Sequence, residues 1–379
     1  MKAVFVTGGK QYTATVGDVL FIEKLNVEAE ETVVFDQVLL VGEGAEAKFG
    51  TPVVEGAKVE AKVIKNGKEI SDKHIKYLCK KLDRTAGITA FDRALESVSR
   101  KEPDMAQKYL VETFYVFEYL THRYISKDTI KIAYFPYILH KYNILKHYDS
   151  EKVLDALLDL LRSVNVYCRE NTLKALYSMQ RPDVVVASLK IIDKNLSFHH
   201  SKLICDGLLN YTGDKESLKE MLFESFNAYS TGMQLNILNY FRFGNIRCDK
   251  EMLELLSNEK ADSELRFAAI RYFEKFPIKE AESSIWAIAE NLEGRIWEYQ
   301  AIASSALKSY PGDVTFRILV ENLSSSNWHI RQNSAISLEK LGYTYHDLIN
   351  VFDGNDRYAR EIMRYRLDKR NAEKEAVKA

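Results

Sequence analysis

The sequence predicts a two-part chain of β plus α class. A small, incomplete β-barrel over residues 1–68 is followed by an α-solenoid of helical hairpins over residues 101–368. Three observations predict this. Short apolar runs and tight Gly turns alternate through residues 1–65. A series of helix-period stretches begins near Gly67. One sequence position then recurs about every 32 residues from Arg169 to Arg331. Residues 69–100 read as a junction with the first helices, and residues 369–379 as a charged tail.

The β elements follow in order. Val4 and Val6 alternate in a first strand, and Gly8-Gly9 is a two-residue hairpin signal, because both central positions of such a turn favour φ > 0. Residues 10–15 return as a second strand. Gly17-Asp18 turns the chain into Val19-Leu20-Phe21-Ile22. Thr32-Val33-Val34-Phe35 and Val38-Leu39-Leu40-Val41 form a further pair around Asp36-Gln37, Gly50-Thr51-Pro52 marks a loop, and residues 59–64 alternate apolar and polar. Strands this short, at this spacing, suit a small barrel.

These motifs carry a resemblance. Thr7-Gly8-Gly9-Lys10-Gln11-Tyr12, Gly17-Asp18-Val19-Leu20, Phe35-Asp36-Gln37-Val38-Leu39-Leu40-Val41 and Gly50-Thr51-Pro52-Val53-Val54 resemble bacterial large-subunit ribosomal protein twenty-one in order and spacing. The resemblance implies a small β-barrel that binds large-subunit ribosomal RNA within the ribosome. That family continues into a segment dense in Lys and Arg, whereas this chain reads Asn66-Gly67-Lys68-Glu69-Ile70-Ser71-Asp72 and turns helical. Its nearest echo, Lys76-Tyr77 and Lys80-Lys81, falls short of that segment. Residues 1–70 hold eight Lys, no Arg and eleven Asp or Glu, so RNA binding, which rests largely on phosphate neutralisation, is weakened there. Within the matched part Lys10, Gln11 and Tyr12 are the candidate RNA contacts; the alternative is a hairpin with a solvated Lys.

The recurrent helical position is Arg169, Lys202, Gln234, Arg266, Gln300 and Arg331, at intervals of 33, 32, 32, 34 and 31. Four residues before four of them stands an N-cap type, namely Asn165, Ser230, Asp262 and Asn327. Each marker therefore lies about one turn inside a helix. A second apolar-periodic stretch fills each interval, such as Val153, Leu154, Leu157, Leu158 and Leu161, so each period is a helical hairpin. This resembles HEAT-type repeats over roughly residues 100–368, with residues 86–150 helical but off-register. Pro136, Pro182, Pro277 and Pro311 are expected at helix ends or bends. Stacked hairpins of this kind present an extended surface suited to holding another protein.

Composition limits the function classes. The 379 residues carry a net charge of −1, 46% hydrophobic and 28% charged residues, with no apolar run long enough to span a bilayer and no signal-peptide pattern. A cytoplasmic, ribosome-associated chain without a membrane span is expected. Cys79, Cys168, Cys205 and Cys248 lie far apart without a CxxC pair and read as buried helical thiols rather than a disulfide or zinc framework. His199-His200, and His140 with His147, lack ligand-type spacing. No HExxH, GxSxG or phosphate-binding GxxxxGK[ST] pattern occurs, so no enzyme, metal or cofactor is expected.

Two surfaces remain. Residues 109–148 are rich in aromatics, and Tyr115, Tyr119, Tyr134 and Tyr137 are the candidates for a protein-binding groove, with core packing as the alternative. Arg357, Arg360 and Arg364 fall on one helix face as a candidate basic patch for a phosphate-bearing partner, with a solvated capping helix as the alternative. The sequence therefore points to a structural, non-enzymatic protein: a ribosomal-protein-like RNA-binding module joined to a helical-repeat scaffold for an unidentified protein partner. The alternative is a repeat scaffold whose N-terminal barrel is a non-functional fragment or the product of a fusion.

Overall fold

A computed structural model describes residues 2–18, 20, 22, 25, 27, 31–42, 47–63, 70–125, 129–147, 150–195, 199–291, 294 and 296–378. Val19, Phe21, Ile64 and residues 66–69, on which part of the expected strand pattern and the junction fall, lie outside these. The chain divides into two compact units, residues 1–198 with 211–218, and residues 199–210 with 219–379.

Among the described residues the first unit opens with six strands: β1 Lys2–Thr7, β2 Lys10–Thr15, β3 Thr32–Phe35, β4 Val38–Val41, β5 Lys48–Phe49 and β6 Val59–Lys62. They form two antiparallel sheets, one in the order β2-β1-β4-β5 and one pairing β3 with β6. The strands at 32–35 and 38–41 exist as expected but do not pair with each other. β4 lies beside β1, and β3 runs against β6 in the register Phe35↔Val59. The reason is the core. Phe5, Phe35 and Val38 are its buried centre, and the Phe5 and Phe35 rings meet at 4.7 Å. Splitting the two strands between sheets lets both contribute to one apolar centre. Leu20 and Ile22 pack against it without belonging to a strand. Gly50 sits where a Cβ would fall 2.2 Å from the Val53 carbonyl carbon, which explains the glycine in the Gly50-Thr51-Pro52 motif.

The helices of this unit begin with α1 Asp72–Leu82, α2 Thr85–Lys101, α3 Pro103–Glu112, α4 Phe114–Tyr124 and α5 Thr129–Lys141. Ser71 caps α1, its hydroxyl accepting from the His74 N–H at 3.3 Å. Then come α6 Glu151–Leu160, α7 Val166–Tyr177 and α8 Pro182–Lys194. α5 packs along α7, and α4 along α6. Pro136 lies inside α5, one turn before its last residues. Pro182 stands at the start of α8, where its missing N–H costs nothing.

The second unit contains α9 Ser201–Leu209, α11 Thr231–Phe243, α12 Asp249–Ser257, α13 Ser263–Lys275, α14 Lys279–Glu290, α15 Trp297–Ala306, α16 Asp313–Asn322, α17 Trp328–Lys340, α18 Ile349–Asp353 and α19 Arg357–Lys378; α10 Lys215–Glu224 runs from one unit into the other. Successive hairpins stack: α11, α13, α15, α17 and α19 follow one another side by side, as do α12, α14 and α16.

The recurrent sequence position has a structural cause. All four expected N-caps form, with Asn165, Ser230, Asp262 and Asn327 accepting from the N–H groups of Cys168, Met233, Glu264 and His329. One turn later the marker side chain reaches back to carbonyls at or beyond the end of the preceding helix. Arg169 Nη1 donates to Ser163 O at 2.8 Å and Val164 O at 3.0 Å. Gln234 Nε2 donates to Phe226 O at 2.9 Å, Arg266 Nη2 to Leu256 O at 3.0 Å, and Arg331 Nη1 to Ser325 O at 2.8 Å. Gln300 bonds the Asn322 side chain instead, at 2.8 Å, and Lys202 is exposed.

Neighbouring hairpins are also tied by bonds about one repeat apart. Asn333 Nδ2 donates to Ala301 O at 2.7 Å, Ser337 Oγ to Ser304 O at 2.6 Å, and Asn322 Nδ2 to Ala289 O at 2.9 Å. In the first unit Asn171 Nδ2 reaches Ala133 O at 2.9 Å. All four cysteines are free thiols; Cys168 and Cys248 are buried as expected, whereas Cys79 and Cys205 are only half-buried. Among the described residues no helix is long and apolar enough to cross a membrane.

Candidate nucleic-acid interface and helical surfaces

The β1–β2 hairpin is built by its turn. Gly8 and Gly9 take φ of 57° and 73°, conformations that side chains bearing a Cβ rarely adopt, and the register Thr7↔Lys10 places Lys10 directly after them. Strand alternation then separates the three candidate contacts. Lys10 and Gln11 are exposed. Tyr12 pairs with Phe5 across the strands and packs on the core, its ring 5.9 Å from that of Phe5. Gln11 lies on the opposite sheet face from Tyr12, as period 2 requires. The hairpin thus brings Lys10 and Gln11 to the surface beside the turn and holds Tyr12 as a half-buried neighbour.

The four candidate tyrosines of the aromatic segment fall into two pairs. Tyr115 and Tyr119 lie one turn apart on α4, 50% and 40% exposed, while Phe114, Phe117, Leu120 and Tyr124 of the same helix are buried. Tyr134 and Tyr137 lie on α5 with ring centres 5.5 Å apart. Tyr134 is committed to a polar network, its hydroxyl donating to Asp92 Oδ2 at 2.8 Å. Lys141 Nζ lies 5.6 Å from the Tyr137 ring centre. Among the other aromatics Phe135 and Tyr142 are buried, and Tyr148 lies outside the described residues. The segment therefore divides between core and surface, with Tyr115 and Tyr119 as its open pair.

Asp92 is the hub of that network. It stands among the buried residues of α2 with Ile88 and Leu95. Its carboxylate accepts from Tyr142 at 2.6 Å, from Tyr134 at 2.8 Å and from Lys141 at 2.8 Å, and Lys141 also reaches Glu96 at 3.1 Å. Burial would raise the Asp92 pKa, but the bonds from Lys141, Tyr142 and Tyr134 and the Lys141 charge outweigh it and hold the carboxyl below its ordinary range. Burial and the Asp92 carboxylate push the Tyr134 hydroxyl up to about 12. Sequence reasoning missed this cluster. Its signal was a lone carboxylate in the apolar i, i+4, i+7 row of α2.

The three candidate arginines of α19 share a helix and little else. Arg357 Nε pairs with Glu361 at 2.7 Å on the open surface. Arg360 Nη1 donates to the Gly354 carbonyl, six residues back. Arg169 and Arg331 make the same bond to Ser163 and Ser325, so Arg360 continues the recurrent series rather than serving as a free cation. Arg364 is exposed and forms no ion pair with a described residue. Arg366 and Arg370 bind Glu339 and the Tyr343 carbonyl, fixing α19 to the end of α17.

Comparison with known proteins bears on the N-terminal part. The family described as Ribosomal prokaryotic L21 protein matches residues 1–88. The large ribosomal subunit protein bL21 of Lactobacillus johnsonii is 54% identical over 85 residues, which is 22% of this chain and 82% of that protein. The bL21 protein of Ectopseudomonas mendocina is 52% identical over 77 residues, 20% of this chain and 75% of that protein. An engineered protein of known crystal structure is similar over 78% of this chain and 88% of its own, at 16% identity and a TM-score of 0.33. The L21 match runs 20 residues beyond Lys68 and takes in all of α1.

Proposed function

The chain belongs to the prokaryotic L21 ribosomal protein family through residues 1–88, and from that membership we propose that it is a non-enzymatic, ribosome-associated protein whose N-terminal module contacts large-subunit ribosomal RNA. The family match carries the proposal. The Gly8-Gly9 turn supports it locally, because Lys10 and Gln11 stand exposed beside backbone N–H groups that one phosphate can approach. The module is a barrel-like fold, in support of which both sheets share the Phe5, Phe35 and Val38 core. The wild-type chain should sediment with large subunits on a sucrose gradient at low salt, and its absence from that fraction overturns the proposal.

The helical remainder is proposed to be a HEAT-like α-solenoid that serves as a protein-binding scaffold in the cytoplasm. Support comes from the recurrent N-cap and carbonyl clamp and from the side-chain bonds between successive hairpins within each unit. Tyr115 and Tyr119 are its proposed contact pair, as exposed amphipathic rings on one turn of α4. Co-purification with the full chain identifies the partner. The double change Tyr115→Ala with Tyr119→Ala should then reduce its capture at least severalfold, and undiminished capture rejects this surface.

A further inference from the structure

Helix α1 carries its charge on one side. Lys73, Lys76, Lys80 and Lys81 are all exposed, and Tyr77 among them is 56% exposed. The spacing i, i+3, i+4, i+7 and i+8 sets these five side chains on one arc of the helix. Leu78 and Leu82 are buried on the other side. Among the described residues no carboxylate pairs with any of the four ammonium groups. Asp72 is the single acidic residue of the helix, and the neighbouring Asp83 is engaged by Arg123 at 3.1 Å. Lys76 stands four residues from Asp72, the spacing of a helix-supporting pair, yet the two form no ion pair.

The aromatic ring in this arc is held in place. Tyr77 stacks on His74 with ring centres 6.4 Å apart, and His74 Nε2 is hydrogen-bonded to the Tyr109 hydroxyl on α3 at 2.8 Å. Lys81 Nζ lies 5.6 Å from the Tyr77 ring centre. Residues 71–88 hold five Lys or Arg against two Asp, reversing the acidic balance of residues 1–70.

We infer that this face of α1 is the principal RNA-contacting surface of the protein. Its ammonium groups neutralise phosphates along a single-stranded segment, and Tyr77 offers a fixed plane on which a base stacks. An anionic membrane surface fits less well, because the arc has no aliphatic side chain to enter the acyl region. The inference rests on the ribosomal reading proposed above and assigns the main contact to α1 rather than to the Lys10 turn.

The test uses the full chain and a labelled single-stranded RNA of mixed sequence, read by fluorescence anisotropy across a salt series. Combining Lys73→Gln, Lys76→Gln and Lys80→Gln should weaken binding about tenfold or more at ~0.1 M salt and reduce the log–log salt slope by about 2. Tyr77→Ala should weaken binding about fivefold with the slope unchanged. All these side chains are exposed, and unchanged circular dichroism checks that folding is intact. Unaltered affinity and slope in the triple variant overturn the inference, as does binding to phosphatidylserine vesicles without binding to RNA. If the wild-type chain travels with large subunits and Lys10→Ala releases it while the α1 variant stays, the inference fails and the ribosomal reading stands. If the wild-type chain neither binds RNA nor travels with large subunits, both fail.

Discussion

Arg331 Nη1 donates to the carbonyl oxygen of Ser325 at 2.8 Å, and Arg169 repeats the bond to Ser163 at the same length. The two arginines lie in different units of the chain, yet each closes the corner between the two helices of its hairpin. Arg360 makes the same i to i−6 bond to Gly354. At Arg169, Gln234, Arg266 and Arg331 the periodic sequence position is therefore a periodic hydrogen bond to a carbonyl at or beyond the end of the preceding helix.

The Arg169 clamp gives the first prediction. Arg169 is 2% exposed and serves two carbonyls. Arg169→Ala should destabilise the first unit by about 2–4 kcal/mol, from two lost charge-assisted hydrogen bonds plus a cavity where the buried side chain stood. Arg169→Lys should rescue only part, because the ammonium sits on a shorter, flexible stem and lacks the rigid planar group that positions Nη1. Hydrogen exchange across α6 and α7 measures this locally; protection equal to wild type would remove the clamp from the account of the repeat.

The Asp92 network predicts a pH dependence. Its carboxyl titrates below the ordinary value in the folded chain, so its contribution is present above the unfolded Asp pKa and is lost as pH falls through the folded one. Tyr134 is raised to about 12, so its contribution is present below the unfolded Tyr value near 10 and is lost as pH rises towards about 12. Asp92→Asn should flatten the acid limb of a thermal-melt profile. An acid limb identical to wild type would place the acid sensitivity elsewhere.

Gly50 predicts a steric effect confined to the β module. An added Cβ would lie 2.2 Å from backbone atoms of Val53, which no side-chain rearrangement can relieve. Gly50→Ala should cost about 1–3 kcal/mol in that module. Limited proteolysis should then cut within residues 1–63 sooner, while the helical circular dichroism signal is kept. Equal cleavage rates would mean that the loop shifts at no cost.

The Gly8-Gly9 turn predicts separable effects on folding and binding. Gly9→Ala forces a Cβ into φ of 73° and should cost roughly 1 kcal/mol of hairpin stability. Lys10→Ala should leave stability within about 0.5 kcal/mol, since the side chain is exposed. Melting curves of the two variants distinguish them, and equal losses would contradict the division of roles.

Local chemistry was legible in the sequence by itself. Two adjacent glycines needing positive φ announced the first hairpin. Side-chain oxygens one turn before four of the six markers announced the helix starts, because both signals act within a few residues of chain. Long-range partners were not legible. The sequence placed strands at residues 32–35 and 38–41 but not their division between two sheets, because pairing follows from the shared Phe5, Phe35 and Val38 centre. It placed Gln11 and Tyr12 together, and only strand alternation in the folded sheet parted them. It set Arg360 in a basic patch, and only the folded corner revealed its bond to Gly354. Asp92 acquires its role from Lys141 and Tyr142, some 50 residues away. Such contacts form only after helices with no local preference for one another are brought together by burial of their apolar faces. For that reason the repeat, the turns and the caps belonged to the sequence, while the network, the sheet pairing and the exposed basic face of α1 were decided by the tertiary structure.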